Sequence, residues 1–173
     1  LAGPASAARL VGVSFADGLV YAVDAQTGTA RHPRSFTASS VPLTLSAGIE
    51  VDAAGELLLA TVEANASLPS ELFSASYGIT GAQSLGVFGA QVGEGDLALD
   101  PLSGDLFAIG LTNLIAPFTL LRIDLADFGA GATVVGEVGL DDVSALAFDA
   151  AGTLYAIDTA DDALLVLDPI DAS

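Results

Sequence analysis

Three stretches of this chain repeat one phrase. IEVDAAGELLLA begins at Ile49, LALDPLSGDLFAI at Leu97 and LAFDAAGTLYAI at Leu146, so the starts fall 48 and 49 residues apart. A self-similar period in the forties restricts the chain to architectures built from one stacked supersecondary unit. Each phrase reads as an apolar strand, a turn carrying Asp and Gly, and a second apolar strand, which is a hairpin signature. The turn pairs are Asp52 with Gly55, Asp100 with Gly104, and Asp149 with Gly152. One period upstream of Ile49 lies Leu1, where LAGPASAARLVGV fits the frame more loosely. Strands are therefore expected to start near Leu1, Ile49, Leu97 and Leu146.

Each repeat has room for two more strands. The third is read in VYAVD from Val20, ELFSAS from Glu71, LLRID from Leu120 and LLVLD from Leu164. The fourth is read in SLGVFGA from Ser84 and TVVGEVG from Thr133, and in a poorer stretch from His32 to Phe36. Helical periodicity is missing, because apolar residues alternate or form short runs bounded by Gly, Pro and Asp. The expected fold is all-β: a four-bladed β-propeller of four-stranded antiparallel blades, in one domain over 1–173. Its blades fall at about 1–48, 49–96, 97–145 and 146–173. Packing of both blade faces accounts for the 52% apolar content, since a sheet covered on both sides reads as near-continuous apolar sequence. A β-sandwich is the minor alternative.

The phrase of apolar strand, Asp-x-x-Gly and Leu-Tyr-Ala-Ile resembles the NHL, YVTN and regucalcin-like family of secreted propellers over nearly the whole chain. These motifs mark a fold and do not name an activity. The resemblance also implies, for its regucalcin-like enzymes, a divalent metal held at the ring axis by Glu, Asn and Asp. Here the only asparagines are Asn65 and Asn113, neither at a repeat-equivalent position, so lactonase chemistry does not carry over.

Charge removes other classes. The chain has 22 acidic residues against four arginines and no lysine, for a formal charge of -18. Nucleic acid needs clustered cations, as does an anionic membrane surface. Membrane insertion by a helix needs ~20 uninterrupted apolar residues, and no such run exists. The aspartates mostly adjoin Gly, Ala or Pro, where a short carboxylate caps a turn. Cys and Met are absent, which fits a durable protein in an oxidising exterior, and no Met precedes Leu1, as expected after processing. An extracellular location follows as the expectation. The sequon Asn65-Ala66-Ser67 would be used only there.

No catalytic constellation stands out. His32 lies between Arg31, Pro33 and Arg34, whose cations oppose its use as a base, and an exposed loop position is expected. No nucleophile elbow, thiolate or phosphate loop occurs, so no catalytic residue, cofactor or metal ligand is assigned and the chain is read as no enzyme. Asp141 with Asp142 and Asp161 with Asp162 offer at most weak, turn-stabilising calcium binding.

Repeat four stops short of an outer strand. Its third strand, Ala163 to Leu167, is expected to be an open edge without Lys, Pro or inward charge, the usual blocks to edge pairing. Leu164, Leu165, Val166 and Leu167 form the expected assembly edge. Leu1, Ala2, Gly3 and Ala5, in an identical copy, form the expected donor segment. A missing strand elsewhere in a longer natural chain explains the same edge equally well. The leading functional expectation is a non-enzymatic extracellular structural protein that self-associates by strand complementation, as a filament or surface-layer subunit. The alternative is an extracellular ligand- or glycan-binding propeller module, with a metal-dependent hydrolase behind both.

Overall fold

The computed structural model describes residues 10–14, 17–39, 41–43, 45–61, 70–89, 92–112, 117–140 and 142–173. The short apolar runs separated by Asp and Gly become strands, and most join their neighbours through tight turns. The Asp of each turn accepts backbone N–H groups of its own loop. Asp52 Oδ1 takes those of Ala54 and Glu56, both at 2.9 Å. Asp149 Oδ1 takes those of Ala151 and Thr153, at 2.9 and 2.8 Å. The following Gly55 and Gly152 both sit at φ 84°, where a side chain would be strained.

The result is all-β, with four antiparallel sheets in chain order. Sheet one holds β1 (Leu10–Val13), β2 (Val20–Val23) and β3 (Ala30–Arg34). A small hairpin, β4 (Thr37–Ala38) with β5 (Val41–Pro42), follows it. Sheet two holds β6 (Leu45–Val51), β7 (Leu57–Thr61), β8 (Glu71–Ala75) and β9 (Ala82–Val87). Sheet three holds β10 (Val92–Leu99), β11 (Leu106–Thr112), β12 (Thr119–Ile123) and β13 (Thr133–Glu137). Sheet four holds β14 (Val143–Phe148), β15 (Leu154–Asp158) and β16 (Ala163–Leu167). A 3-10 turn, Phe128–Ala130, precedes β13. Among the described residues no helix is long and apolar enough to cross a membrane.

The sheets stack in series through their faces, and the period of two along each strand decides which residue goes where. In β7, Leu57 and Leu59 join Val20, Phe36 and Phe73 between sheets one and two. The intervening Leu58 and Ala60 join Leu97, Leu106, Leu121 and Phe128 between sheets two and three. Phe107, Ile109 and Leu120 meet Val143, Leu146, Leu154 and Leu167 between sheets three and four. Each fully buried Leu, Ile or Phe contributes ~1.5–3 kcal/mol, so these three layers hold the array together. The first strands lie side by side in the order β1, β6, β10, β14. Among the described residues no comparable packing of β14 on β1 closes that series.

Two sequence expectations shift. The inner strands begin at Leu45, Val92 and Val143, ahead of Ile49, Leu97 and Leu146, because each carries a bulge just before those residues. The ladder slips between Leu45 and Gly48, between Gly93 and Asp96, and between Val143 and Ala145. Clean alternation starts after the bulge, which is why the repeated phrase does too. The first repeat is also framed differently. Val20–Val23 is the second strand of sheet one, not the third, and the His32 region belongs to the third strand, not the fourth. The cause is the turn closed by Gly18 N–H to Ser14 O at 2.8 Å, with Gly18 at φ 66°. It is this repeat's Asp-Gly hairpin, and a fixed step of 48 residues passes over it. Leu1 and its expected strand lie outside the described residues.

Candidate functional site

Sheet four ends the series, and β16 ends sheet four. β16 pairs with β15 from Leu154–Leu167 to Asp158–Ala163, and among the described residues no strand pairs with its other side. Leu164 and Val166 are 69% and 62% exposed, while Leu167 is buried against sheet three. Nothing in ALLVL blocks a further strand. The last strand of the first sheet, β3, is blocked: it carries Arg31, Pro33 and Arg34, and it bulges where His32 turns to φ 53°. His32 is exposed, in a strand and not in the expected loop. Its carbonyl accepts the Tyr77 hydroxyl at 2.7 Å. The expected donors Leu1, Ala2, Gly3 and Ala5 lie outside the described residues, as do Asn65, Asn113 and Asp141.

A second region lies where the inner strands converge. On the side away from the second strands they have no ladder partner among the described residues, and two carboxylates reach across from sheet to sheet to bond some of the N–H groups there. Glu50 of β6 accepts Leu99 N–H of β10 at 3.2 Å with one oxygen and Val51 N–H at 2.7 Å with the other. Asp96 of β10 accepts Leu146 N–H of β14 at 3.1 Å and Leu97 N–H at 2.8 Å. Burial pushes the Asp96 carboxyl up to about 6, the nearby Glu50 charge adds to the rise, and the backbone donors Leu97, Leu146 and Ile49 oppose it. The two clips occupy different positions in their repeats, so the period does not announce them.

At the ends of the same strands lies an open cavity of about 440 Å³. Val51, Leu99, Pro101 and Phe148 supply apolar lining, and Glu50, Asp52 and Asp149 supply carboxylates. Asp149 is held below the ordinary aspartate range chiefly by the Thr153 backbone N–H, so it stays ionised. Among the described residues no three His, Asp or Glu side chains gather as a metal cluster would need. Asp161 and Asp162 are exposed on the turn between β15 and β16.

No protein-family model matches the chain, and no curated protein does. Among solved structures, an auxiliary nutrient binding protein from Bacteroides ovatus ATCC 8483 is similar at 13% identity and a TM-score of 0.47. The match covers 90% of this chain and 38% of that one. An auxiliary nutrient binding protein from Bacteroides thetaiotaomicron VPI-5482 is similar at 12% identity and a TM-score of 0.49, over 95% of this chain and 39% of that one. This chain thus spans about two fifths of either protein's length. Overlaps this loose transfer neither activity nor ligand.

Proposed function

We propose that the four sheets are the blades of a four-bladed propeller-type array, and that the chain is a non-enzymatic, extracellular structural protein. In this reading it associates with copies of itself at its fourth sheet. The observation that carries the reading is the contrast between the last strands of the two end sheets: β3 is blocked by charge, Pro33 and a bulge, while β16 is open and apolar. A donated strand of about five residues adds roughly 3–5 hydrogen bonds at ~1 kcal/mol each and two or three apolar side chains at ~1.5–3 kcal/mol each. After association costs, micromolar affinity is within reach. Residues 1–8 of a second copy are the proposed donor, and the missing Cys and Met suit an oxidising exterior.

Light scattering tests this. The unmodified protein should gain mass as salt screens its -18 charges, whereas Val166→Lys and deletion of residues 1–8 should hold it at monomer mass. A wild-type protein that stays monomeric at high salt and high concentration refutes the reading. The cavity beside Phe148 favours a second reading, ligand or glycan binding, through carboxylates that accept hydroxyl donors. A glycan panel whose hits vanish in Asp52→Asn would promote that reading to first place.

A further inference from the structure

Phe107, Ile109 and Leu120 show what one sheet offers to the sheet after it, for all three are buried against sheet four. Their counterparts one repeat later are Tyr155, Ile157 and Leu164. Tyr155 pairs with Ala147 and Val166, and Ile157 pairs with Ala145 and Leu164. Residues directly opposite in a ladder share a face, so all six side chains lie on the side of sheet four turned away from sheet three. Among the described residues no sheet covers them. Ile157, Leu164 and Val166 are 43%, 69% and 62% exposed. The face therefore has the chemistry of an inter-sheet layer with one half missing.

The other end of the series offers a matching half. In sheet one, Val11, Val13 and Val20 pack toward sheet two, which leaves the opposite face to Leu10, Gly12, Tyr21 and Val23. Leu10 is 52% exposed, and a shallow hollow of about 350 Å³ is lined by Gly12, Tyr21 and Val23. Charge selects the same pairing. Residues 10–34 carry Asp17 and Asp24 against Arg31 and Arg34, a balance of zero, whereas residues 143–173 carry six aspartates and no cation. In a chain of net charge -18, the neutral first sheet is the surface that the acidic fourth sheet repels least.

We infer that the open face of sheet four docks the outer face of sheet one of a second copy, head to tail. The inference rests on the self-association proposed above and adds its partner surface. Two different patches meet, so the contact repeats along a series of copies.

The chain has no cysteine, so cross-linking reads the contact directly. Single variants Tyr21→Cys and Ile157→Cys are mixed under mild oxidation, with Leu102→Cys, on an exposed turn, as the control partner for each. The expected result is a disulfide-linked heterodimer of the first pair forming at least tenfold faster than either control pair. Arg31→Glu with Arg34→Glu in the Tyr21→Cys protein should slow that reaction severalfold. Cross-linking no faster than the controls overturns the inference. So does an internal disulfide in the Tyr21→Cys, Ile157→Cys double variant without heterodimer from the mixed singles, because sheet one would then close on sheet four of its own chain. Sedimentation separates the two proposals. If Ile157→Asp and Leu164→Asp assemble like the wild type while deletion of residues 1–8 abolishes assembly, strand addition stands and face docking falls.

Discussion

Replacing Asp96 by Asn should change how stability depends on pH, and the direction follows from the site. The Asp96 carboxyl is raised by burial from its ordinary 3.8 to about 6 in the folded chain. Between those values the native state holds a proton that the unfolded chain has released, so protonation favours folding. The stabilisation is fully present below pH 4 and is lost as pH rises through 6. The gap between 3.8 and about 6, at ~1.36 kcal/mol per pH unit, corresponds to ~3 kcal/mol. Solvent access reduces this to ~2 kcal/mol in practice. The assay is urea unfolding of the wild type and of Asp96→Asn at half-unit steps from pH 4 to 7. The other 21 acids contribute to both proteins and cancel in the difference. The wild type should lose ~2 kcal/mol relative to the variant across that range, and Glu50→Gln, which removes the neighbouring charge, should narrow the loss. Parallel curves for wild type and Asp96→Asn would refute the assignment of a raised Asp96.

Two further outcomes follow from the fold. Gly86→Ala should destabilise by ~2–3 kcal/mol, since its Cβ would lie 2.5 and 2.6 Å from ring atoms of Phe128. Gly89→Ala, with open space around its Cβ, should cost only ~1 kcal/mol of left-handed strain, and thermal melts compare the two. His32→Ala should move stability by no more than ~0.5 kcal/mol, because the side chain is exposed and Tyr77 binds its backbone carbonyl. A larger loss in a denaturant titration, or an activity lost with it, would contradict the reading of His32 as a surface residue.

The second, third and fourth hairpins were legible because their signals are local. Asp52, Asp100 and Asp149 each bond backbone groups within four residues, and apolar alternation resumes beyond the bulge in each inner strand. The first hairpin escaped because a fixed period was laid over a repeat that places its own turn at Asp17 and Gly18. β16 was legible for the same local reason, as five residues, ALLVL, ended by Asp168. The carboxylate clips between the inner strands were not. Glu50 meets Leu99 and Asp96 meets Leu146 across 49 and 50 residues of sequence, and nothing near either acid differs from a turn carboxylate. The uncovered face of sheet four needed the register, because only pairing shows that Ile157 and Leu164 stand together.

The glycine at position 86 has a consequence for how the array comes apart. Gly86, on the last strand of sheet two, is a notch filled by Phe128 from the turn of sheet three. Gly136, on the last strand of sheet three, lies against Asp171 and Ala172 from the turn of sheet four. Tyr77, from the turn of sheet two, likewise holds the last strand of sheet one. The last strands of sheets one, two and three are thus each finished by the sheet that follows. Removing the fourth sheet empties the notch on the last strand of the third, whereas removing the first leaves the notch at Gly86 filled. Loss of structure in such a nearest-neighbour stack should spread with a direction, unzipping from Ser173 back toward Leu10 more readily than the other way.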